Sequence, residues 1–490
     1  MTEAVESDVL RTPAAGGRLI RGGSVRAAGY AVSMVVGVVT AALLLRYLGV
    51  EDFGRYATVM ALVGIVAGVT DAGLTAVGSR EMAVETPGDV RARLLSNLVT
   101  LRLATTVIGV GAAVVFAAVA GYGDVLVAGT ALAGFGVLLL SVQTMMTMPL
   151  WVELRIVALT AFEVARNLMT LAGIALLVTV GASLLPFFLV PIGVGLVVLG
   201  ATPAVIARSS GFVPGFDRAV LARLVRETLP LALAVVMSVV YVRLLVILMS
   251  LLATPQETGL FATAFRIFEV LLSAPALLLA VALPVLSVAG AEDVARLRFA
   301  LQRMTEVALA AAVLLVLVLL VTAEPALELL GGTEYVEAAP VLRIQVVALI
   351  GVFLAQTWQL GLIAMRRQRD VAIGNGVALA IVFAGGLVLI PTDGAVGAAW
   401  TAVAAETVLA GLMLAALTRA RRAVAPDFRF LWRLAVPAAA GGAASFAPLG
   451  AWGAGALAAA VFVASALLTR AVPRELWLAL VAPFRRDVGM

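Results

Sequence analysis

Asp52-Phe53-Gly54-Arg55-Tyr56-Ala57 stands between two long apolar runs, and Glu257-Thr258-Gly259-Leu260-Phe261-Ala262 stands between two more. Both read acidic, x, Gly, x, aromatic, Ala. Working outward from this echo, apolar runs fall at about 24–46, 57–78, 94–120, 125–148, 155–181 and 183–207, then at about 227–252, 259–288, 304–329, 338–364, 371–390 and 394–418. A last pair lies at about 429–449 and 452–470. A span needs about 20 apolar residues, so the pattern predicts an all-α, polytopic membrane protein of about fourteen transmembrane helices. The first motif opens the second helix and the second opens the eighth. Six helices separate them, an even number, so the two halves share one orientation. The expected layout is two six-helix lobes, 24–207 and 227–418, related as a parallel pseudo-repeat by an axis along the membrane normal. A basic cytoplasmic linker (208–226), a terminal helix pair (419–470) and cytoplasmic tails (1–23 and 471–490) complete it.

Composition agrees with the pattern. Of 490 residues, 63% are hydrophobic and 13% charged, whereas a soluble chain is roughly 45–50% apolar and about 25% charged. A water-soluble fold of this length has too little interior to hide that excess. The chain has no Cys, no His and no Lys, so all 34 basic residues are Arg. Disulfides, thiolate nucleophiles and the usual zinc sites are thereby excluded. So are a Walker A lysine, Schiff-base chemistry and His general-base catalysis. No cofactor, no metal and no enzymatic activity are expected. The exclusive use of Arg is read as the mark of a GC-rich genome rather than of function.

A sequence pI near 10.2 suggests nucleic acid until the charges are placed. They sit in short breaks between apolar runs, which is membrane topology and not a nucleic-acid surface. With the N-terminus in the cytoplasm, 27 of the 34 arginines fall in cytoplasmic tails and loops, Arg80, Arg91, Arg93, Arg366 and Arg421 among them. Outside lie Arg46, Arg55 and Arg343, and inside the spans lie Arg102, Arg166, Arg243 and Arg266. That asymmetry places both termini in the cytoplasm and the protein in the cytoplasmic membrane. Met1 to Gly23 is polar, without the apolar core of a signal peptide, and is read as a tail.

Four segments resemble one family. Arg46-Tyr47-Leu48-Gly49-Val50-Glu51-Asp52-Phe53-Gly54-Arg55-Tyr56 is similar to the first outer loop of Wzx-type polysaccharide flippases. These belong to the multidrug/oligosaccharidyl-lipid/polysaccharide (MOP) exporter superfamily. The eighth-helix start Gly259 to Ile267, the loop Gly331 to Pro340 and the turn Asp393 to Trp400 resemble the same family in the same order. The resemblance implies a flippase that moves an undecaprenyl-diphosphate-linked oligosaccharide from the inner to the outer leaflet. Membrane lipids and this polyprenyl-diphosphate-linked sugar are the implied partners, with polysaccharide assembly proteins as the implied protein partners.

A charge at the bilayer centre costs at least about 2.5–3.5 kcal/mol on insertion scales, so each one needs a partner or a wet cavity. Helix rise places Arg243 and Arg266 at similar depth, roughly 10–14 Å below the outer surface. Glu269, one turn from Arg266, neutralises one of the two cations. The remaining charge either binds the substrate diphosphate, which arginine grips bidentately, or closes an ion-pair network that fastens helices. Asp71, Arg102, Glu163 and Arg166 lie roughly 10–18 Å from the inner surface. Two acids and two bases balance as interhelical pairs. Alternatively Arg102 or Arg166 receives the diphosphate while Asp71 or Glu163 takes a coupling ion. Glu406, near the middle of the twelfth helix, has no partner in sequence and is a further coupling candidate, carrying a proton unless it pairs with an arginine elsewhere.

Without a nucleotide motif, the driving force is an ion gradient or the membrane potential, and transport runs by alternating access. A lipid II flippase and a cation-coupled multidrug antiporter are alternatives within the superfamily, the antiporter less suited to four intramembrane arginines. A membrane-embedded polysaccharide polymerase or ligase would call for a sizeable outer loop, and the longest, Glu324 to Arg343, is short. A scaffold would not need buried charges. Gly and Ala, abundant in the last two helices, allow close packing. Met145, Met146 and Met148 are packing or lipid-facing residues rather than a copper site. Trp151, Trp432 and Trp477 are read as interfacial anchors, and Pro473 to Met490 as an amphipathic helix on the inner surface.

Overall fold

In lipid a backbone N–H or C=O finds no water, and a helix satisfies both within one segment. A computed structural model describes residues 13–71, 73–84, 89–206, 216–289, 294–469 and 471, and it follows that rule: among them there are helices and no strands. In order these are α1 (Pro13–Asp71), α2 (Leu74–Val84), α3 (Asp89–Val119), α4 (Asp124–Met146), α5 (Met148–Val152), α6 (Ile156–Thr179), α7 (Leu184–Phe187) and α8 (Val190–Ile206). There follow α9 (Arg218–Leu252), α10 (Pro255–Ala289), α11 (Val294–Gly331), α12 (Ala339–Ala364), α13 (Gln368–Ala420), α14 (Leu431–Ala444) and α15 (Gly450–Leu468). A 3-10 turn, Thr333–Ala338, leads into α12.

Ten segments are long and apolar enough to cross a membrane among the described residues. Two of them hold a reversal. Gly49 (φ 70°, ψ 176°) breaks α1, and Gly394 (φ 54°, ψ −131°) breaks α13, each dividing one assigned helix into two spans. Only glycine enters such left-handed backbone without strain. With α10 and α14, which match the eighth and thirteenth runs, the fourteen expected helices are present.

The boundaries differ from the sequence reading in three places. The run expected at 57–78 leaves the helix after Asp71, turns at Gly73 (φ 84°) and restarts as α2. The run at 183–207 is divided into α7 and α8, with Pro186 before the break and Pro191 after it. Part of the expected tail and linker is helical, since α1 begins at Pro13 and α9 at Arg218. Trp477 and the tail from Pro473 to Met490 lie outside the described residues.

The chain groups into two units, Met1–Leu48 with Val59–Val236, and Gly49–Thr58 with Met237–Met490. In the first, α4 packs on α3 and α8, and small residues let backbones meet: a side chain at Gly136 would sit 2.8 Å from the Pro191 carbonyl carbon. Met145, Met146 and Met148 are buried with Met82, Leu95 and Leu98, so they are packing residues. In the second, α12 is wedged between α11 and α13. Trp358 Nε1 donates to Thr305 Oγ1 at 3.2 Å there, beside the buried Leu301, Leu362 and Leu417.

The two motifs of the echo meet inside the second unit. A side chain at Gly54 would lie 2.6 Å from the Pro255 carbonyl oxygen, and one at Gly259 would strike the Val50 carbonyl oxygen. Val50 precedes Gly54 by four residues, as Pro255 precedes Gly259. The contact is reciprocal, each glycine receiving the carbonyl one turn before the other.

Candidate functional site

Consecutive antiparallel helices bring three predicted residues together in the second unit. Arg243, on α9, donates through Nη2 to Glu269 Oε1 at 3.1 Å, and Arg266, on α10, donates through Nη1 to Glu269 Oε2 at 2.8 Å. Each carboxylate oxygen thus serves a different guanidinium. One negative charge faces two positive ones, and none of the three is sealed: side-chain exposures are 31% for Arg243, 44% for Arg266 and 26% for Glu269. The cluster therefore keeps a net positive charge and open N–H donors, the arrangement that a phosphate or diphosphate completes.

Phe265 and Phe268, interleaved with Arg266 and Glu269 on α10, face another way. They line a cavity of about 380 Å³ whose wall also holds Tyr241, Gln345, Gln356, Gln359 and Glu406. Glu406 is 8% exposed and lines this cavity together with Tyr241. The sequence left Glu406 without a partner or with an arginine; no arginine lines the cavity, and Tyr241 shares its wall with Glu406. Gly351 on α12 holds it in place: a side chain there would come within 2.8 Å of the Glu406 backbone. Gln345 is 1% exposed, and its Oε1 accepts no hydrogen bond. The pocket thus combines a buried carboxyl with an open carbonyl acceptor, a donor set of the kind that holds a proton or a small cation.

The four charges expected together in the first unit separate. Asp71 Oδ1 accepts from Arg102 Nη1 at 3.2 Å and from Thr75 Oγ1 at 2.5 Å. Arg102 Nη2 reaches the Ala67 carbonyl at 3.2 Å, while its Nε is buried without a hydrogen bond. Thr75 follows Asp71 by four residues, across the turn at Gly73. Glu163 and Arg166, half-buried on α6, make no ion pair among the described residues. The balanced set of interhelical pairs thus reduces to one.

Sequence reasoning placed Arg91 among the loop arginines. It is buried, 4% exposed, with Glu153 4.0 Å away and with Nε and Nη2 unpaired. No local pattern signals this, because its burial depends on α5 and the turn after it. Tyr241 had a weak signal, as a polar group in mid-span two residues before Arg243.

Residues 19–289 match the family model described as polysaccharide biosynthesis protein. No curated protein sequence matches the chain significantly. Among solved structures, the lipid II flippase MurJ in an inward closed conformation superposes with a TM-score of 0.73 at 12% identity, covering 93% of this chain and 99% of that one. An inward-facing MATE multidrug resistance transporter of the MOP superfamily gives 0.63 at 13% identity, over 80% and 95%. A MOP superfamily transporter from Pyrococcus furiosus gives 0.57 at 14%, over 84% and 96%. At such identities the likeness speaks for the fold. With the family match over more than half its length, the chain belongs to the polysaccharide biosynthesis protein family and is a multi-pass membrane protein with the fold of the MOP superfamily.

Proposed function

We propose that this protein is a flippase for an undecaprenyl-diphosphate-linked oligosaccharide, supplying cell-surface polysaccharide assembly from the cytoplasmic membrane. The observation that carries the reading is the Arg243–Glu269–Arg266 cluster, with two guanidinium groups on one carboxylate and all three partly open. In a bilayer an uncompensated cation is costly, and an anionic head group removes that cost while it passes. A cationic drug would meet repulsion at the same place, which disfavours an antiporter of such drugs. The family's description, polysaccharide biosynthesis protein, favours a sugar-bearing substrate.

Transport by alternating access needs a gradient in the absence of a nucleotide motif. Glu406, buried in its pocket beside Tyr241, is the favoured coupling residue. Asp71 is committed to Arg102 and Thr75, and Arg102 is correspondingly assigned to structure. Arg166 and Glu163 stay as lesser candidates for head-group and ion contact. Both termini are assigned to the cytoplasm on the arginine distribution.

In cells, Arg243→Ala is expected to abolish export of the sugar polymer at normal protein level. Full export from that variant would remove the cluster from the transport path.

A further inference from the structure

Away from the residues assigned to transport, the second unit holds a larger and more strongly cationic cavity. It measures about 800 Å³ and lies between the first turns of α11 and the segment that enters α14. Four arginines line it, Arg298, Arg303, Arg429 and Arg433, against two acids, Glu306 and Asp427. Both acids are already engaged. Glu306 accepts from Arg303 Nη1 at 2.8 Å and from Gln302 Nε2 at 2.9 Å. Asp427 Oδ1 caps the following turn by accepting from the Arg429 backbone N–H at 2.9 Å. Gln302 ties the two walls together, donating to the Asp427 carbonyl at 2.9 Å and accepting from its N–H at 2.7 Å. The site is thus a braced cleft and not a gap between loose segments. Among the described residues no carboxylate pairs with Arg298, Arg429 or Arg433.

The rim decides what kind of anion fits. Phe299 is 62% exposed and Trp432 64% exposed. The Arg303 guanidinium lies 5.4 Å from the Phe299 ring, and that of Arg433 lies 5.4 Å from the Trp432 ring. Exposed aromatic rings beside arginines at the end of a spanning helix are the pattern of a lipid–water interface. A soluble anion has no use for that apolar border, whereas a lipid has an acyl chain to lay along it. On the orientation proposed above, with both termini in the cytoplasm, the cleft lies at the inner leaflet.

We propose that this cleft binds the phosphate head group of an anionic phospholipid of the inner leaflet, with Arg298 and Arg429 gripping the phosphate and Trp432 and Phe299 bordering the chains. The site is separate from the Arg243–Glu269–Arg266 cluster. It would make the packing of α14 on α11 depend on the surrounding lipid.

The test is native mass spectrometry of the purified full-length protein in detergent, with equal amounts of phosphatidylglycerol and phosphatidylcholine added. The wild type is expected to retain phosphatidylglycerol in about fivefold excess or more, as a basic cluster of this size attracts anionic lipid. The combined Arg298→Ala and Arg429→Ala variant is expected to lose that excess, and Arg343→Ala to keep it. Should the double variant not purify, Arg429→Glu supplies the same reading. Equal retention of the two lipids by the wild type, or an undiminished excess in the variant, would overturn the proposal. So would retention of added pyrophosphate with no preference between the lipids, which would make the ligand a soluble phosphate.

Discussion

Both units set arginine beside a carboxylate within their helices, yet they do so to opposite ends. In the first, Arg102 is 6% exposed at its side chain and has Asp71 to itself. Charge is balanced, the carboxylate is further fixed by Thr75, and little is left to offer a ligand. In the second, Arg243 and Arg266 divide one Glu269, and every member stays partly open. A matched pair with its guanidinium buried holds helices together; an unmatched trio with both guanidinium groups partly open suits an anion. The same residue types therefore carry structure in one place and, on the present proposal, transport in the other. Stoichiometry and exposure separate the two roles, and neither is visible from residue type.

That contrast can be broken in several ways, and the largest effect is expected on export. Removing both Arg243 and Arg266 by alanine substitution should reduce surface polymer below detection while the protein still reaches the membrane, measured by polymer immunoblot against protein level. Retained export would place the trio with the structural pair. Next in size is Asp71→Ala. It leaves the buried Arg102 guanidinium with the Ala67 carbonyl as its remaining acceptor, at a cost of about 2–3 kcal/mol, near the low end for breaking a buried pair because Asp71 is partly open. Thermal unfolding of the purified protein reads this directly, and an unchanged midpoint would mean that the pair is not structural.

A third substitution tests the reciprocal glycine contact. Gly259→Val drives a branched side chain into the Val50 carbonyl and should destabilise the protein by about 1–3 kcal/mol, as overpacking does. Wild-type stability would show that the crossing yields easily. The smallest effect is expected at Arg343, whose pair with Glu324 is half-exposed on both sides at 2.9 Å. Arg343→Ala should cost no more than about 1 kcal/mol and leave export intact, so any export defect there would weaken the argument from exposure.

The fold was legible because the bilayer imposes one solution on each apolar run, and because arginines mark the loops. The reversals at Gly49 and Gly394 fell where turn-forming residues interrupt hydropathy. The breaks after Asp71 and Phe187 were passed over because hydropathy continues through both, although Gly73 stands at one and Pro186 and Pro191 flank the other. For the site, helix arithmetic was enough to bring Arg243, Arg266 and Glu269 together, being a local matter of two successive helices. The surroundings of Glu406 were not legible, because Tyr241 lies five helices earlier in the chain and only tertiary packing brings it to the same cavity. Arg91 failed for the same reason: a position at a helix start reads as loop until a distant segment covers it. Glu163 and Arg166 were grouped with Asp71 by depth alone, and depth says nothing of which helix face a side chain occupies.

The most direct test of the account is the affinity of purified protein for undecaprenyl diphosphate, compared between the wild type and Arg243→Ala. Charge-assisted hydrogen bonds contribute about 1.5–3 kcal/mol each, so the variant should bind at least about tenfold more weakly with an unchanged unfolding midpoint. Equal affinity in the two proteins would contradict the claim that the unbalanced arginines of the second unit hold the diphosphate.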